Sequence, residues 1–244
     1  MITDIHSNLP ALEAVLADIE TREIDRIWCL GDVVGYGADP DACADLVRER
    51  CELCLVGNHD LAVLGALDIA AFSDAAAEAV VWTQGKVEQR TLDFLAGLEP
   101  AGSRDGIALF HASPRDPVWE YVLSLDQAHA CLAEQPEPVT LIGHSHVSLF
   151  FTQPEAGGSP ADTVGSQAGD GTRLDLAGGG RWLINPGSVG QPRDGDPDAA
   201  WLELDTDSPA VVFRRLPYDI DRAAAEIVDK GLPKRLADRL YVGQ

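Results

Sequence analysis

Lysine is scarce in this 244-residue chain, which holds only Lys86, Lys230 and Lys234. Lys and Arg together number 18 against 40 Asp and Glu, a formal net charge of -22. Nothing here could neutralise a run of phosphates, so recognition of a nucleic-acid duplex through a basic face is disfavoured. No apolar run approaches the roughly 18 residues of a membrane span, and the N-terminus lacks the basic and apolar regions of a signal peptide. The cytoplasm is therefore the expected compartment. Five cysteines, Cys29, Cys43, Cys51, Cys54 and Cys131, are an odd number in a chain without an export signal, which argues against a disulfide framework. Cys51 and Cys54 form a C-x-x-C, but no second such pair completes a zinc site, and the run Leu53 to Val56 is apolar; buried, reduced thiols are expected.

The acid that dominates the composition is mostly Asp and is spread along the chain, as on the solvated surface of a salt-adapted protein rather than in a binding tail. At 26.1 kDa the chain is long enough to bury a substantial core, and one domain over residues 1–244 is expected. Helical spacing runs from Leu12 to Ile19 behind Asn8 and Pro10, over Pro40 to Arg50, over Ser73 to Leu98 with a break near Gly85, over Leu125 to Leu132, and over Asp221 to Leu240 with a break at Gly231-Leu232-Pro233. Between them lie short apolar strand runs: Asp25 to Leu30, Cys51 to Val56, Ile107 to Phe110 and Val139 to Ile142. Further strands are expected over Val147 to Thr152, Arg181 to Ile184, Ala200 to Leu204 and Val211 to Leu216. Residues 154–180 are rich in Gly, Ser and Asp and read as a mobile loop or hairpin tip. Only three residues precede Asp4, short for a buried central strand, so either that strand is truncated or the natural start lies upstream.

Strands alternate with helices and each delivers polar residues where it stops. That pattern predicts an α/β sandwich with its site along the carboxyl ends of the strands. Five of the six histidines, His6, His59, His111, His144 and His146, stand in short Gly- or Asp-containing turns at such positions, beside Asp4, Asp32 and Asn58. Mixed nitrogen and oxygen donors without thiolate suit Mn, Fe, Zn, Co or Ni rather than Mg or Ca. The donors are too many for one ion. Two ions about 3.5–4 Å apart, sharing a bridging carboxylate, would use them and would form a clamp for phosphoryl transfer. The sixth histidine, His129, has no motif around it and reads as helix packing.

The ordered motifs Asp4-x-His6, Gly31-Asp32, Gly57-Asn58-His59-Asp60, His111 after a strand, and Gly143-His144-x-His146 resemble the calcineurin-like metallophosphoesterase superfamily. The stretches Gly31 to Gly37 and Asn185 to Arg193 look like its small prokaryotic phosphodiesterase branch. The resemblance spans residue 4 to about residue 195. It implies a four-layer α/β/β/α sandwich, two mixed sheets flanked by helices. It also implies two divalent ions, manganese first among the candidates, one held by Asp4, His6 and His146 and the other by Asn58, His111 and His144, with Asp32 bridging.

In this likeness His59 faces the substrate as the catalytic imidazole and Asp60 orients its far ring nitrogen; Asn58 is also a candidate for substrate contact, and Arg193, from its place in the Pro- and Gly-rich loop, is a candidate to clamp a phosphate oxygen. A loop salt bridge between Arg193 and Asp194 is the plainer alternative for that arginine, and Tyr36 is a candidate for lining the pocket. The implied activity is hydrolysis of a small phosphate ester, foremost a diester, by a metal-bridging hydroxide. A nucleotide phosphatase or dinucleotide polyphosphate hydrolase stands as the alternative enzyme, and an interaction scaffold of the same fold as the alternative of another class. Ser7, Ser145 and Ser148 depart from the usual Gly, Thr and Pro without removing a ligand.

If the acidic surface is salt-adapted, the melting temperature rises between low and molar KCl as screening relieves self-repulsion, and a thermal scan that shows no rise rejects the idea.

Overall fold

A computed structural model describes residues 1–154 and 159–244. After residues 1–3 come helix α1 (Leu9–Glu20), strand β1 (Trp28–Cys29), α2 (Pro40–Arg50), β2 (Leu53–Cys54), α3 (Asn58–Val63), α4 (Asp74–Gln84) and α5 (Gln89–Ala96). Then follow β3 (Ala101–Arg104), β4 (Ile107–Phe110), α6 (Leu125–Glu134), β5 (Val139–Leu141), β6 (Ser148–Gln153), β7 (Val164–Gln167), β8 (Arg173–Asp175) and β9 (Arg181–Pro186). Strands β10 (Ala199–Asp205) and β11 (Ala210–Leu216) and helices α7 (Ile220–Asp229) and α8 (Lys234–Asp238) complete the chain. Helix α1 shows the local logic. The Asn8 side chain accepts the Ala11 N–H at 3.2 Å, Pro10 occupies the first turn, and Leu12, Val15, Leu16 and Ile19 form its buried face.

One sheet has the order β3-β4-β5-β9-β6-β7, with β4, β5 and β9 parallel and the other pairings antiparallel. In the second layer β1 pairs with β2 in parallel, and β11 pairs antiparallel with β10 and β8. Residues 1–3 stitch these patches together. Ile2 N–H donates to Trp28 O at 2.9 Å and Ile2 O accepts from Leu30 at 3.0 Å, while Met1 O accepts from Leu202 at 3.0 Å. The short first strand thus forms, as a single parallel bridge from Ile2 to Cys29 with partners on both sides.

Between the sheets lie Trp28, Leu30, Leu55, Leu109, Leu141, Ile184, Leu202, Val211 and Phe213. Outside one sheet α1, α2 and α5 bury Leu12, Val15, Cys43, Val47 and Leu95, and outside the other α6 buries Ala128, Cys131 and Leu132 against Leu149, Phe151 and Leu183. This is the four-layer sandwich the resemblance implied. Among the described residues no helix is long and apolar enough to cross a membrane.

The early strands are shorter than their apolar runs: β1 and β2 hold two residues each, because the chain leaves the ladder as soon as it turns to deliver Asp32 and Asn58. Over 154–180, residues 155–158 lie outside the described residues. The remainder is not a plain loop, for β7 adds to the edge of the six-stranded sheet and β8 to the edge of the other. Every residue of β7 is exposed, so main-chain pairing holds it with no apolar alternation for a sequence reading to detect.

The segment after β9 packs backbone to backbone on the Asp4–His6 turn. A Cβ added at Gly190 would stand 1.8 Å from Ile5 O. Gly190→Ala is expected to destabilise the protein by about 1–3 kcal/mol and to weaken metal binding, read from urea midpoints and metal titration.

Candidate metal centre

The side chains of the five motifs converge at the carboxyl ends of the strands. Asp4, His6, Asp32 and His146 place one ligand atom each within 4.8 Å of one another, as do Asp32, His111 and His144, so Asp32 belongs to both groups. All six residues are buried. Asn58, at the first turn of α3, brings its Oδ1 to 3.2 Å from His111 Nε2.

Backbone carbonyls fix the imidazoles. His6 Nδ1 lies 3.2 Å from Val34 O, His111 Nδ1 2.9 Å from Leu30 O, and His146 Nδ1 2.7 Å from Gln191 O. Each Nδ1–H donates to its carbonyl, which turns the Nε2 lone pair toward the centre. His144 is reversed: its Nε2 faces Trp119 O at 3.2 Å, leaving Nδ1 as the free nitrogen. The carboxylates are held in the same way. Asp4 Oδ2 accepts from Thr3 Oγ1 at 2.8 Å and from His144 N–H at 3.0 Å, and Asp32 Oδ1 accepts from His59 N–H at 2.8 Å. Their other oxygens, Asp4 Oδ1 and Asp32 Oδ2, are buried with no hydrogen-bond partner.

This geometry fits two cations. His6 Nε2 and His146 Nε2 stand 3.1 Å apart with both protons already committed to Nδ1, so two lone pairs face each other. The same conflict recurs between His111 Nε2 and Asn58 Oδ1. Acceptors buried in such proximity are stable only around a positive charge. Borderline divalent ions suit the mixed donor set.

The backbone bends sharply to deliver these groups. Asp4, His6, Ser7, Asp32, Tyr36, His144 and His146 all have φ between 52° and 63°, the left-handed region that non-glycine residues rarely adopt. The segment from Asn185 to Gln191 holds two of the turns. Ser188 Oγ donates to Asp4 O at 2.7 Å, Gly190 N–H to Asp4 O at 3.0 Å, and Asn185 Nδ2 to Gly143 O at 2.6 Å and to Ser145 Oγ at 2.9 Å. Gly57 permits the third approach, since a Cβ there would stand 2.0 Å from Asp32 Oδ1.

His59 lies beside the cluster, 4.8 Å from His6 and 4.3 Å from Tyr36 between ring centroids, with a buried Nδ1 that has no partner. Asp60 does not supply one. Its Oδ2 accepts from Gly57 N–H at 3.0 Å and Val33 N–H at 3.2 Å, and its Oδ1 from Val34 N–H at 2.9 Å, so it ties the Gly31 to Gly37 turn to the start of α3. Arg193 does not pair with Asp194, which instead bonds Arg215 and the Ser148 N–H. The guanidinium of Arg193 rests 5.6 Å from the Tyr36 ring centroid, Nη2 donates to Gln191 Oε1 at 2.8 Å, and its Nε is buried and unpartnered.

The calcineurin-like phosphoesterase superfamily domain matches residues 1–207. The chain belongs to the calcineurin-like phosphoesterase superfamily. It is 38% identical to an uncharacterized protein of Methanocaldococcus jannaschii, over 100% of this chain and 97% of that one. It is also 38% identical to a metallophosphoesterase from Sphaerobacter thermophilus of known crystal structure, with a TM-score of 0.89 over 100% of this chain and 97% of the other. A hypothetical protein from Pyrococcus horikoshii shares the fold, at 19% identity and a TM-score of 0.78 over 100% and 97% of the two chains.

Around this phosphoesterase centre the structure adds residues that no motif marked. Tyr121 stacks on His144 at 4.2 Å, Phe72 packs on His59 at 5.1 Å and on Trp119 at 5.0 Å, and Arg239 approaches the Tyr36 ring at 6.0 Å. These come from loops and the C-terminal turn, where spacing carries no periodic signal. His129 bonds Gln153 Nε2 at 2.7 Å, away from the centre.

Burial pushes all five imidazoles down, His144 to about 3 and His146 to about 4, so they are neutral and able to ligate. Burial, with the carboxylates of Asp60 and Asp4 beside it, pushes Asp32 well up, and burial raises Asp60 to about 6. An imidazole lowered in the folded state contributes stability that is complete above its unfolded value of about 6.5 and is lost as pH falls toward its folded value. Asp32 and Asp60 act in the opposite sense but are outnumbered. In chelator, the urea midpoint is expected to fall as pH drops from about 6.5 to about 4, by roughly 1.4 kcal/mol per unit for each uncompensated imidazole; a flat midpoint over that range contradicts the ligand environment described.

Proposed function

We propose that this chain is a dinuclear-metal-dependent phosphoesterase acting on a small phosphate ester, foremost a phosphodiester. The observation that carries the reading is the pair of facing acceptor sets, His6 with His146 and His111 with Asn58, joined through the unpartnered Oδ2 of Asp32. Asp4, His6 and His146 would hold one ion, Asn58, His111 and His144 the other, and Asp32 would serve both, with manganese first among Mn, Fe, Zn, Co and Ni for this donor set. Ions so bound would supply Lewis-acid chemistry, lowering the pKa of water to about 7 and offsetting charge on a phosphoryl group.

The remaining work falls to side chains of the chain. His59 is kept neutral by burial and is walled by Tyr36 and Phe72, so a ring N–H can donate a hydrogen bond to a phosphoryl oxygen, whereas protonating the leaving oxygen would require its imidazolium form. Arg193, free of Asp194, offers Nε to a phosphoryl oxygen. Asp60 keeps the Asp32 turn and the His59 helix in register through its three backbone bonds, which makes it a positioning residue. The buried packing of the centre excludes bulk water and strengthens each of these contacts.

A monoester or dinucleotide polyphosphate substrate uses the same groups and is the second enzyme reading. The scaffold reading is disfavoured because every ligand position is filled and oriented. We also read residues 1–244 as one domain and place the protein in the cytoplasm, where its five free cysteines stay reduced. No duplex nucleic acid is expected as a partner.

Manganese-dependent hydrolysis of bis-p-nitrophenyl phosphate tests the proposal. The wild type is expected to turn over with manganese and to stop in chelator. His59→Ala should lose about 10²–10⁴-fold in rate while anomalous scattering still shows two ions; absence of turnover with every divalent ion tried, at low and high salt, leaves the scaffold reading ahead.

A further inference from the structure

Three imidazoles of the centre take their orientation from buried backbone: the carbonyls of Val34, Leu30 and Gln191 hold the Nδ1–H groups of His6, His111 and His146. His144 is the exception. Its Nε2–H donates to Trp119 O at 3.2 Å, and Trp119 belongs to residues 111–124, a connection between β4 and α6 that contains neither helix nor strand. From residue 114 to residue 124 of that connection only Val122 is buried. One face of the His144 ring is covered by Tyr121, stacked on it at 4.2 Å between centroids with the planes 29° apart. Tyr121 is 42% exposed and His144 only 3%, so the tyrosine stands between the imidazole and solvent.

The same connection starts on another ligand of the same ion. Directly after His111, Ala112 N–H donates to Pro117 O at 3.0 Å and Ser113 N–H to Asp116 O at 3.2 Å, while the N–H groups of Val118 and Trp119 both donate to Asp116 Oδ1 at 3.1 Å. Ser113 Oγ donates to Glu120, and Val122 packs with Ala128, Cys131 and Leu132 of α6. A run of local turns thus leads away from His111 and hands a carbonyl and a ring to His144. Among the described residues it makes no hydrogen bond or ring contact with Asp4, His6 or His146.

A half-exposed run of turns opens at lower cost than a buried ladder. An imidazole whose hydrogen-bond partner can withdraw, and whose face is open to water, can turn over and offer its protonated nitrogen, which does not ligate. Groups that orient a ligand from outside are worth about 10–100-fold in metal affinity. Whatever the connection contributes to the ion, the ion returns to the connection.

We propose that Tyr121 is a positioning residue for the second ion: stacked on His144, it keeps Nδ1 turned toward the ion shared with Asn58 and His111, and residues 118–124 are steadied when that ion binds. The two ions then load unequally, the one at Asp4, His6 and His146 first. This inference rests on the two-ion part of the reading above and not on hydrolysis.

Manganese titration calorimetry on chelator-stripped protein tests it, with electron paramagnetic resonance to detect the spin-coupled manganese pair and hydrogen exchange to follow residues 118–124. The wild type should bind in two unequal steps, and His144→Ala should remove the weaker step and the coupled signal. Tyr121→Ala should weaken the weaker step by about 10–100-fold and leave the tighter one unchanged; Tyr121→Phe, which keeps the stacked ring, should keep both. Exchange in residues 118–124 should slow between one and two equivalents of manganese. An unchanged weaker step in Tyr121→Ala, an equal loss in the tighter step, or exchange indifferent to the second equivalent overturns the proposal. Should Tyr121→Ala not fold, Tyr121→Leu decides in the same way. A wild type that takes no second manganese strikes the two-ion reading and this inference together, whereas a wild type with two ions and a Tyr121→Ala variant of unaltered affinity strikes this inference alone.

Discussion

Buried lone pairs that face one another set the terms for the rest of this molecule. His6 Nε2 and His146 Nε2 at 3.1 Å, and His111 Nε2 and Asn58 Oδ1 at 3.2 Å, repel unless a cation stands among them. Each imidazole is denied the alternative of turning over, because its other nitrogen is held by a backbone carbonyl. Binding energy of divalent ions would thus be stored as folding energy, and a metal-free chain carries its centre as a weak point.

Holding that arrangement requires backbone that is costly in isolation. A non-glycine residue in the left-handed region costs on the order of 1–3 kcal/mol, and the centre uses several. The surroundings over-determine these turns: Ser188, Val189 and Gly190 clasp Thr3 and Asp4, Asn185 clasps Gly143 and Ser145, and Asp60 clasps Gly57, Val33 and Val34. The ligands come from distant parts of the chain, yet nearly every clasp is a hydrogen bond to backbone. That makes the geometry insensitive to most side chains between the motifs, although Ser7 keeps a buried Oγ with no hydrogen-bond partner at a φ of 54°. Ser145 and Ser148 each join the network, Ser145 through Asn185 and Ser148 through Pro186 O at 2.7 Å.

Charge is arranged on two scales. The chain as a whole repels anions, with a net charge of -22. At short range the pattern differs, since Arg193 is left without a carboxylate partner beside a centre shaped for cations. Asp194 is diverted to Arg215, which anchors the loop and leaves its neighbour in sequence free. Local fields decide what binds at the centre because they act across a few ångströms in a dry site, while the surface charge is screened beyond about 10 Å.

The sequence by itself determined the layered α/β plan and the set of ligand candidates. Apolar runs ending in Gly, Asp, Asn and His are a local signal, and a strand that stops must deliver its next residue to the sheet edge. It also marked most helices, because their burial follows a 3.6-residue period, as in α1 and in the break between α4 and α5. Tertiary structure alone decided what does not repeat locally. β7 and β8 are strands because neighbouring edges offer them hydrogen bonds, Asp60 serves the backbone rather than the His59 ring, and Asp194 chooses Arg215. Arg239 reaches Tyr36 because a backbone bond between Gly195 and Gly243 closes the C-terminal turn onto a loop more than forty residues away, a contact that no spacing along the chain encodes.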